Sequence, residues 1–270
     1  MARSRFFRRF LCENRNMRWR ILALLGCISL MSSVAGAQTT ISGVSTGTVA
    51  PGSLATIFGS GLAASLSSAN SIPLSTTLSD VTSVTINGMP APLMFVSASQ
   101  IGVQVPWEVT PGPANVIVNR TGSSSPPMAV QVNAFAPSVF ALGLGSLQAL
   151  ATNADGTLTA PNGLVAGLNA HPATAGDTIT FYATGLGVVD PPPLDGANSS
   201  DTMRQTTSMP TVQIGGAPAQ VTFAGLSPQF VGIYQLSVVV PGGVSAGDAV
   251  PVQVQTMDGS NANPVTIALQ

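Results

Sequence analysis

The sequence predicts an all-β protein: two β-sandwich modules in tandem behind an N-terminal export signal. Three observations predict it. Gly and Pro, 28 and 21 of 270 residues, punctuate the chain every few positions, and β-branched residues fill the gaps. Three sequence blocks recur in the same order at shifts of 124, 128 and 135 residues. The basic charge is confined to the start of the chain, next to a short apolar run.

Seven of the nine Arg lie in the first twenty residues, and residues 21–35 read ILALLGCISLMSSVA. Ala35-Gly36-Ala37 then offers the small residues a signal peptidase accepts, so residues 1–37 read as a signal peptide cut before Gln38. The apolar run is about 15 residues, short of the roughly 20 that span a bilayer as a helix, so no stable membrane span is expected after cleavage. Retention as an anchor, a twin-arginine route through Arg8-Arg9 and acylation of Cys27 are the alternatives. Both cysteines, Cys12 and Cys27, fall inside the signal. The remaining 233 residues have no thiol, so their stability must come from packed cores instead of disulfides.

Within the body, strands are expected at 54–58, 81–86, 92–96, 101–105, 114–119 and 128–132. A second set follows at 179–183, 211–214, 220–224, 234–240, 250–256 and 265–269. Short strands about 8–12 residues apart, divided by turn signals, suit a sandwich or barrel. The best helical stretch, 61–69, is rich in Ser and Ala and too short for more than a turn or two.

The repeat supplies the architecture. Ile86-Asn-Gly-Met-Pro-Ala-Pro-Leu-Met-Phe95 matches Ile214-Gly-Gly-Ala-Pro-Ala-Gln-Val-Thr-Phe223, and Gln100-Ile-Gly-Val-Gln-Val-Pro106 matches Gln235-Leu-Ser-Val-Val-Val-Pro241. Upstream, the block at 51–62 resembles that at 175–186. In I-x-G-x-P-A the Gly suits a left-handed turn position and Pro-Ala starts the return strand. In Q-h-x-V-x-V-P, alternation buries every second residue and Pro ends the pairing. The modules are thus expected at 38–135 and 136–270; the runner-up is one sandwich with a looser, extended partner.

These blocks, with A-P-x-V-F, N-x-D-G-T-L, A-x-x-G-D-x-I-x-F-Y-A-T-G-L-G-V-V-D-P-P and G-I-Y-Q-L-x-V-x-V-P, resemble one bacterial family over essentially the whole body. It is an uncharacterised C-terminal domain that recurs in secreted proteins of Solibacter-type Acidobacteria. The resemblance implies an extracellular location and an immunoglobulin-like fold, and it transfers no catalytic residue. The second copy's A-x-x-G-D-x-I-x-F-Y-A-T-G-L also resembles IPT/TIG-type immunoglobulin-like modules, which serve mostly as spacers and binding platforms. The full expectation is therefore two tandem immunoglobulin-like β-sandwich modules after a signal peptide.

From residue 38 onward only Arg120 and Arg204 face nine acids, a net of about −7, so phosphate-backbone binding and nucleic-acid partners are excluded. Gly43-Val44-Ser45-Thr46-Gly47 matches G-x-S-x-G but runs into Val49-Ala50-Pro51 instead of a helix. Its only possible base is His171, the single histidine. One His and no mature Cys exclude ordinary zinc sites. Asp190, Asp195 and Asp201 share the loop Asp190-Pro-Pro-Pro-Leu-Asp195-Gly, which reads as solvated and Pro-stiffened, not as a calcium loop. Tyr182 and Tyr234 read as core. Trp107, after Pro106 and before Glu108, is the one aromatic expected at an exposed strand end and the one candidate ligand-binding residue. No catalytic residue, cofactor or metal is expected. The function expected is a secreted, non-catalytic structural or adhesive module of the cell surface or matrix, with a polysaccharide-binding accessory module as alternative. Its partner would be a cell-surface protein or a polysaccharide.

Overall fold

A computed structural model describes residues 38–270 except Thr46 and Leu144; the signal, with Cys12 and Cys27, lies outside the described residues. The described chain is all-β and immunoglobulin-like, and no helix occurs in it. Eleven strands build the first sandwich: β1 (Thr40–Val44), β2 (Thr48–Val49), β3 (Leu54–Ser60), β4 (Ser67–Ser68), β5 (Val81–Ile86), β6 (Met89–Pro90), β7 (Leu93–Val96), β8 (Gln100–Gln104), β9 (Gly112–Arg120), β10 (Ser123–Ser124) and β11 (Met128–Val132). One sheet runs β1-β3-β8-β7-β4 and the other β2-β11-β9-β5-β6, with β10 on β9. Alternate residues of each strand enter the core between them, Ala55 and Ile57 against Val84, Val116 and Val118.

The second sandwich follows with β12 (Ser138–Val139), β13 (Ala151–Thr152), β14 (Thr178–Thr184), β15 (Val189–Asp190), β16 (Gln205–Thr206), β17 (Thr211–Ile214), β18 (Ala217–Leu226), β19 (Tyr234–Val239), β20 (Gly247–Gln255) and β21 (Val265–Leu269). Seven of its strands form one path, β12-β14-β19-β18-β17-β20-β21, with β13 on β14, β16 on β18 and β15 on β16. Its own core centres on Phe181, Tyr234, Leu236 and Ile267, all fully buried. The looser-partner alternative is therefore set aside. Tyr234 is core as the alternation predicted, and its hydroxyl donates to the Gly187 carbonyl.

The repeated hairpin explains how the two copies differ. Asn87 and Gly88, and Gly215 and Gly216, all have positive φ, which is the type I′ turn that two-residue hairpins require. After the turn, β18 pairs with β17 through its first residues and with β19 from Gln220 onward, crossing from one sheet to the other without a break. In the first copy Pro92 stands where the second has Gln220 and offers no N–H, and the strand divides into β6 and β7 there. Both copies then carry a bulge just before the repeated phenylalanine, Phe95 or Phe223. The Phe95 ring lies where a Cβ would stand on Gly102 of the adjacent strand, and the Phe223 ring, with the Arg204 carbonyl, crowds that position on Gly225 of its own strand.

The G-x-S-x-G sequence straddles the end of β1, which contributes Gly43 and Val44. Ser45 turns out of that strand; its Oγ accepts the Thr56 N–H at 2.9 Å, and its own N–H goes to the Thr56 carbonyl. Thr46 lies outside the described residues. The 61–69 stretch is bends followed by β4, not helix.

Candidate functional site

The residues that sequence reading singled out lie in separate places. His171 lies on a loop of the second sandwich with its Nε2 3.2 Å from Asp155 Oδ2 and its Nδ1 2.9 Å from the Pro172 carbonyl. Those contacts raise its pKa, the Pro172 carbonyl most and Asp155 next. Asp155 in turn is held down to about 2, chiefly by the Thr157 hydroxyl and amide. The histidine is half-buried, and none of its bonds reaches a serine, so Ser45 and His171 do not form a nucleophile–base pair.

Both cations of the body are paired. Arg120 on β9 donates its Nε to Asp80 at 2.9 Å and one Nη to the Gly61 carbonyl at 2.7 Å, which clasps two loops to the first sandwich. Arg204 sits over Asp201 at 2.6 Å and holds that carboxyl at about 2.

Trp107 lies at the joint between the sandwiches. The indole does not stand out in solvent: it is half-buried, packs against the core of the second sandwich, and covers Gly52, where an added Cβ would come within 2.2 Å of the ring. The expected exposure is corrected for a physical reason. A wide apolar ring at a strand end next to a second module removes more surface from water by packing on that module than by facing solvent. The Trp107 N–H donates to Asp195 Oδ1 at 2.9 Å, the neighbouring Gly196 N–H donates to Gln104 Oε1 at 2.7 Å, and the Leu74 N–H donates to the Gly196 carbonyl at 2.8 Å. The stretch around Asp195 is thus a strap docked on the first sandwich, not the solvated loop read from its sequence. A second relay crosses nearby: Leu54 N–H to Thr184 Oγ1 at 2.8 Å, and Thr184 Oγ1 to the Gly232 carbonyl at 3.0 Å.

Asp195 and Glu108, 87 positions apart in sequence, come together at this joint. Burial pushes the Asp195 carboxyl above its usual range and the Glu108 charge adds to the rise, opposed by the Trp107 N–H. A raised acid adds stability below its unfolded pKa and loses it as pH rises through the folded one. The joint is accordingly under charge strain at neutral pH. Asp195→Asn keeps the acceptor and removes the repulsion, so its melting temperature should exceed that of the unaltered protein at pH 7, with the gain shrinking towards pH 4. Asp195→Ala removes the acceptor and should cost about 1–3 kcal/mol at either pH. A melting temperature for Asp195→Asn below the unaltered protein's at pH 7 would rule this out.

Along the same joint runs a groove. One stretch, about 440 Å³, is lined by Asn133, Phe135, Asn261 and Asn263. The next, about 320 Å³, lies between the outer face of β3, β8 and β7 and the segment from Ala136 to Phe140, and shares Ser138 with the first. The last, about 550 Å³, lies beside Asn70, Ile72 and Phe230 and shares Met94 with the second. No side chain lining any of the three is ionisable. Sequence reading missed this groove because its walls come from both copies. Among the described residues no cluster of three metal-ligating side chains occurs, and no helix is long and apolar enough to cross a membrane.

Residues 39–132 match the IPT/TIG domain family, so the match falls on the first copy, although the motif resembling it was read from the second. None of the curated proteins matches the chain. Among solved structures it is similar to the mixed-linkage glucan utilization locus protein SGBP-B of Bacteroides ovatus in complex with a mixed-linkage heptasaccharide. Identity is 15% and TM-score 0.36, over 83% of this chain and 44% of that one. The plexin A4 extracellular region aligns at 15% identity and TM-score 0.30, over 96% and 20%. The adhesin InvE of Yersinia pseudotuberculosis aligns at 13% and 0.22, over 86% and 58%. The chain therefore spans less than two thirds of each of these proteins.

Proposed function

We propose that the protein is an exported, non-catalytic structural or adhesive module of the cell surface or extracellular matrix, built from modules 38–135 and 136–270 held as one body. The observation that carries this reading is the joint: Trp107, the Asp195 strap and the Leu54–Thr184–Gly232 relay fix the sandwiches to each other. A fixed two-module body suits a spacer or platform, whose task is to hold surfaces at a set distance and angle. Glu108 and Asp195, acids from distant segments that meet at that joint, line none of the groove's three stretches. Acid–base chemistry near neutral pH needs tuned groups facing a substrate, and this arrangement offers none there.

Export rests on residues 1–37, whose basic start, apolar run and Ala-Gly-Ala site make a secretory signal, and on the resemblance to secreted acidobacterial domains. The test is N-terminal sequencing of protein recovered from the cell surface and medium of an expressing bacterium. A start at Gln38 is expected. A start at Cys27 would show lipidation, and recovery of intact protein only from the cytosol would overturn export.

A further inference from the structure

We infer that the groove between the sandwiches binds a neutral polysaccharide chain, which deepens the adhesive reading by naming the partner's chemistry and rests on it for the setting. What lines the groove matches that chemistry. Its polar groups are hydroxyls and carboxamides, Thr56 and Ser138 in the middle stretch and Asn133, Asn261 and Asn70 towards the ends. Such groups both donate and accept, as sugar hydroxyls do. Its apolar groups include phenyl rings in all three stretches, Phe135, Phe140, Phe95 and Phe230, beside aliphatic side chains such as Leu54, Ile72 and Val231. A pyranose ring presents just this mixture, an apolar C–H face and a rim of hydroxyls, and it would set its face on a ring and its rim on the amides.

Two of the rings are fixed before any ligand arrives. The bulge at Met94 turns Phe95 onto Gly102, where its ring occupies the space of a Cβ. Phe135 lies in the same way on Gly187. A ring that cannot rotate away loses little freedom on binding, so its contact area counts more fully towards affinity. Charge selects against the competitors. Both cations of the body are committed to Asp80 and Asp201, and no ionisable group lines the groove, so an anionic polymer has nothing to pair with. Length selects a chain over a single sugar, because successive stretches share Ser138 and then Met94.

The test is affinity electrophoresis of the purified protein in native gels cast with mixed-linkage β-glucan, galactomannan or dextran, and with polygalacturonate as the charged control. Retardation is expected in at least one neutral gel and not in polygalacturonate. Phe140→Ala and Asn133→Ala should each weaken that binding about tenfold. Asn133→Ala removes only a half-exposed amide, so it keeps the test decisive if Phe140→Ala unfolds. Unchanged mobility in all three neutral gels, equal retardation by polygalacturonate, or an Asn133→Ala variant that binds like the unaltered protein would overturn the groove. Export is measured separately, so exported protein that binds none of the glycans refutes the groove alone, and protein that binds but stays in the cytosol refutes the setting alone.

Discussion

Replacing Trp107 by alanine is expected to destabilise the protein by about 3 kcal/mol, the lower end for deleting a large aromatic from a core, because the ring is only half-buried. The loss falls on the joint. The ring touches Gly52 in the first sandwich and the core of the second, so its removal opens space that neither sheet can close alone. Its indole Nε1 is buried without a protein partner among the described residues, a cost that the ring's packing outweighs. Trp107→Phe discards that unpaired donor along with some area and should cost about 1–1.5 kcal/mol, well under the alanine variant. Urea unfolding followed by circular dichroism measures both. Two variants of equal stability would show that the ring does not bridge the sandwiches.

Gly52→Ala should cost about 3 kcal/mol and Gly176→Ala only about 1–2, although the two glycines occupy the same place in the repeat. Both have positive φ, 74° and 92°, so each alanine is strained by the backbone alone, about 1–2 kcal/mol. Around Gly176 there is nothing within 4 Å of an added Cβ. At Gly52 the methyl would meet the Trp107 ring at 2.2 Å, and the further cost is that of prising the joint apart, about 1–3 kcal/mol by analogy with overpacked cores. Thermal unfolding of the pair gives the difference directly, and equal losses would mean that the ring yields at no cost.

Local physics made most of the fold legible. Alternation placed β5, β11, β17 and β21 to the residue, because one face of each is buried and a one-residue slip would expose it. The hairpin turn was readable from Asn87-Gly88 and Gly215-Gly216 since only a few residue types take positive φ twice in succession. What failed to show was long-range. β1, whose last two residues open a catalytic-looking motif, went unread because its partner β3 lies across a turn and its own residues are half-exposed on both faces. The docking of Asp195 on Trp107 joins residues 88 positions apart, and nothing in Asp-Pro-Pro-Pro-Leu-Asp distinguishes a docked loop from a solvated one. One signal was available. The second copy has Gly242 after Pro241 where the first has Trp107 after Pro106, and a large ring present in one copy alone marks a contact the other copy does not make.

Whether the two sandwiches behave as one body is tested most directly by differential scanning calorimetry of the purified protein at neutral pH. With both relays and the indole in place, a single transition is expected, with calorimetric and van't Hoff enthalpies equal. Two separable transitions, or a calorimetric enthalpy well above the van't Hoff value, would mean that the sandwiches unfold independently and would contradict the joint on which the account stands.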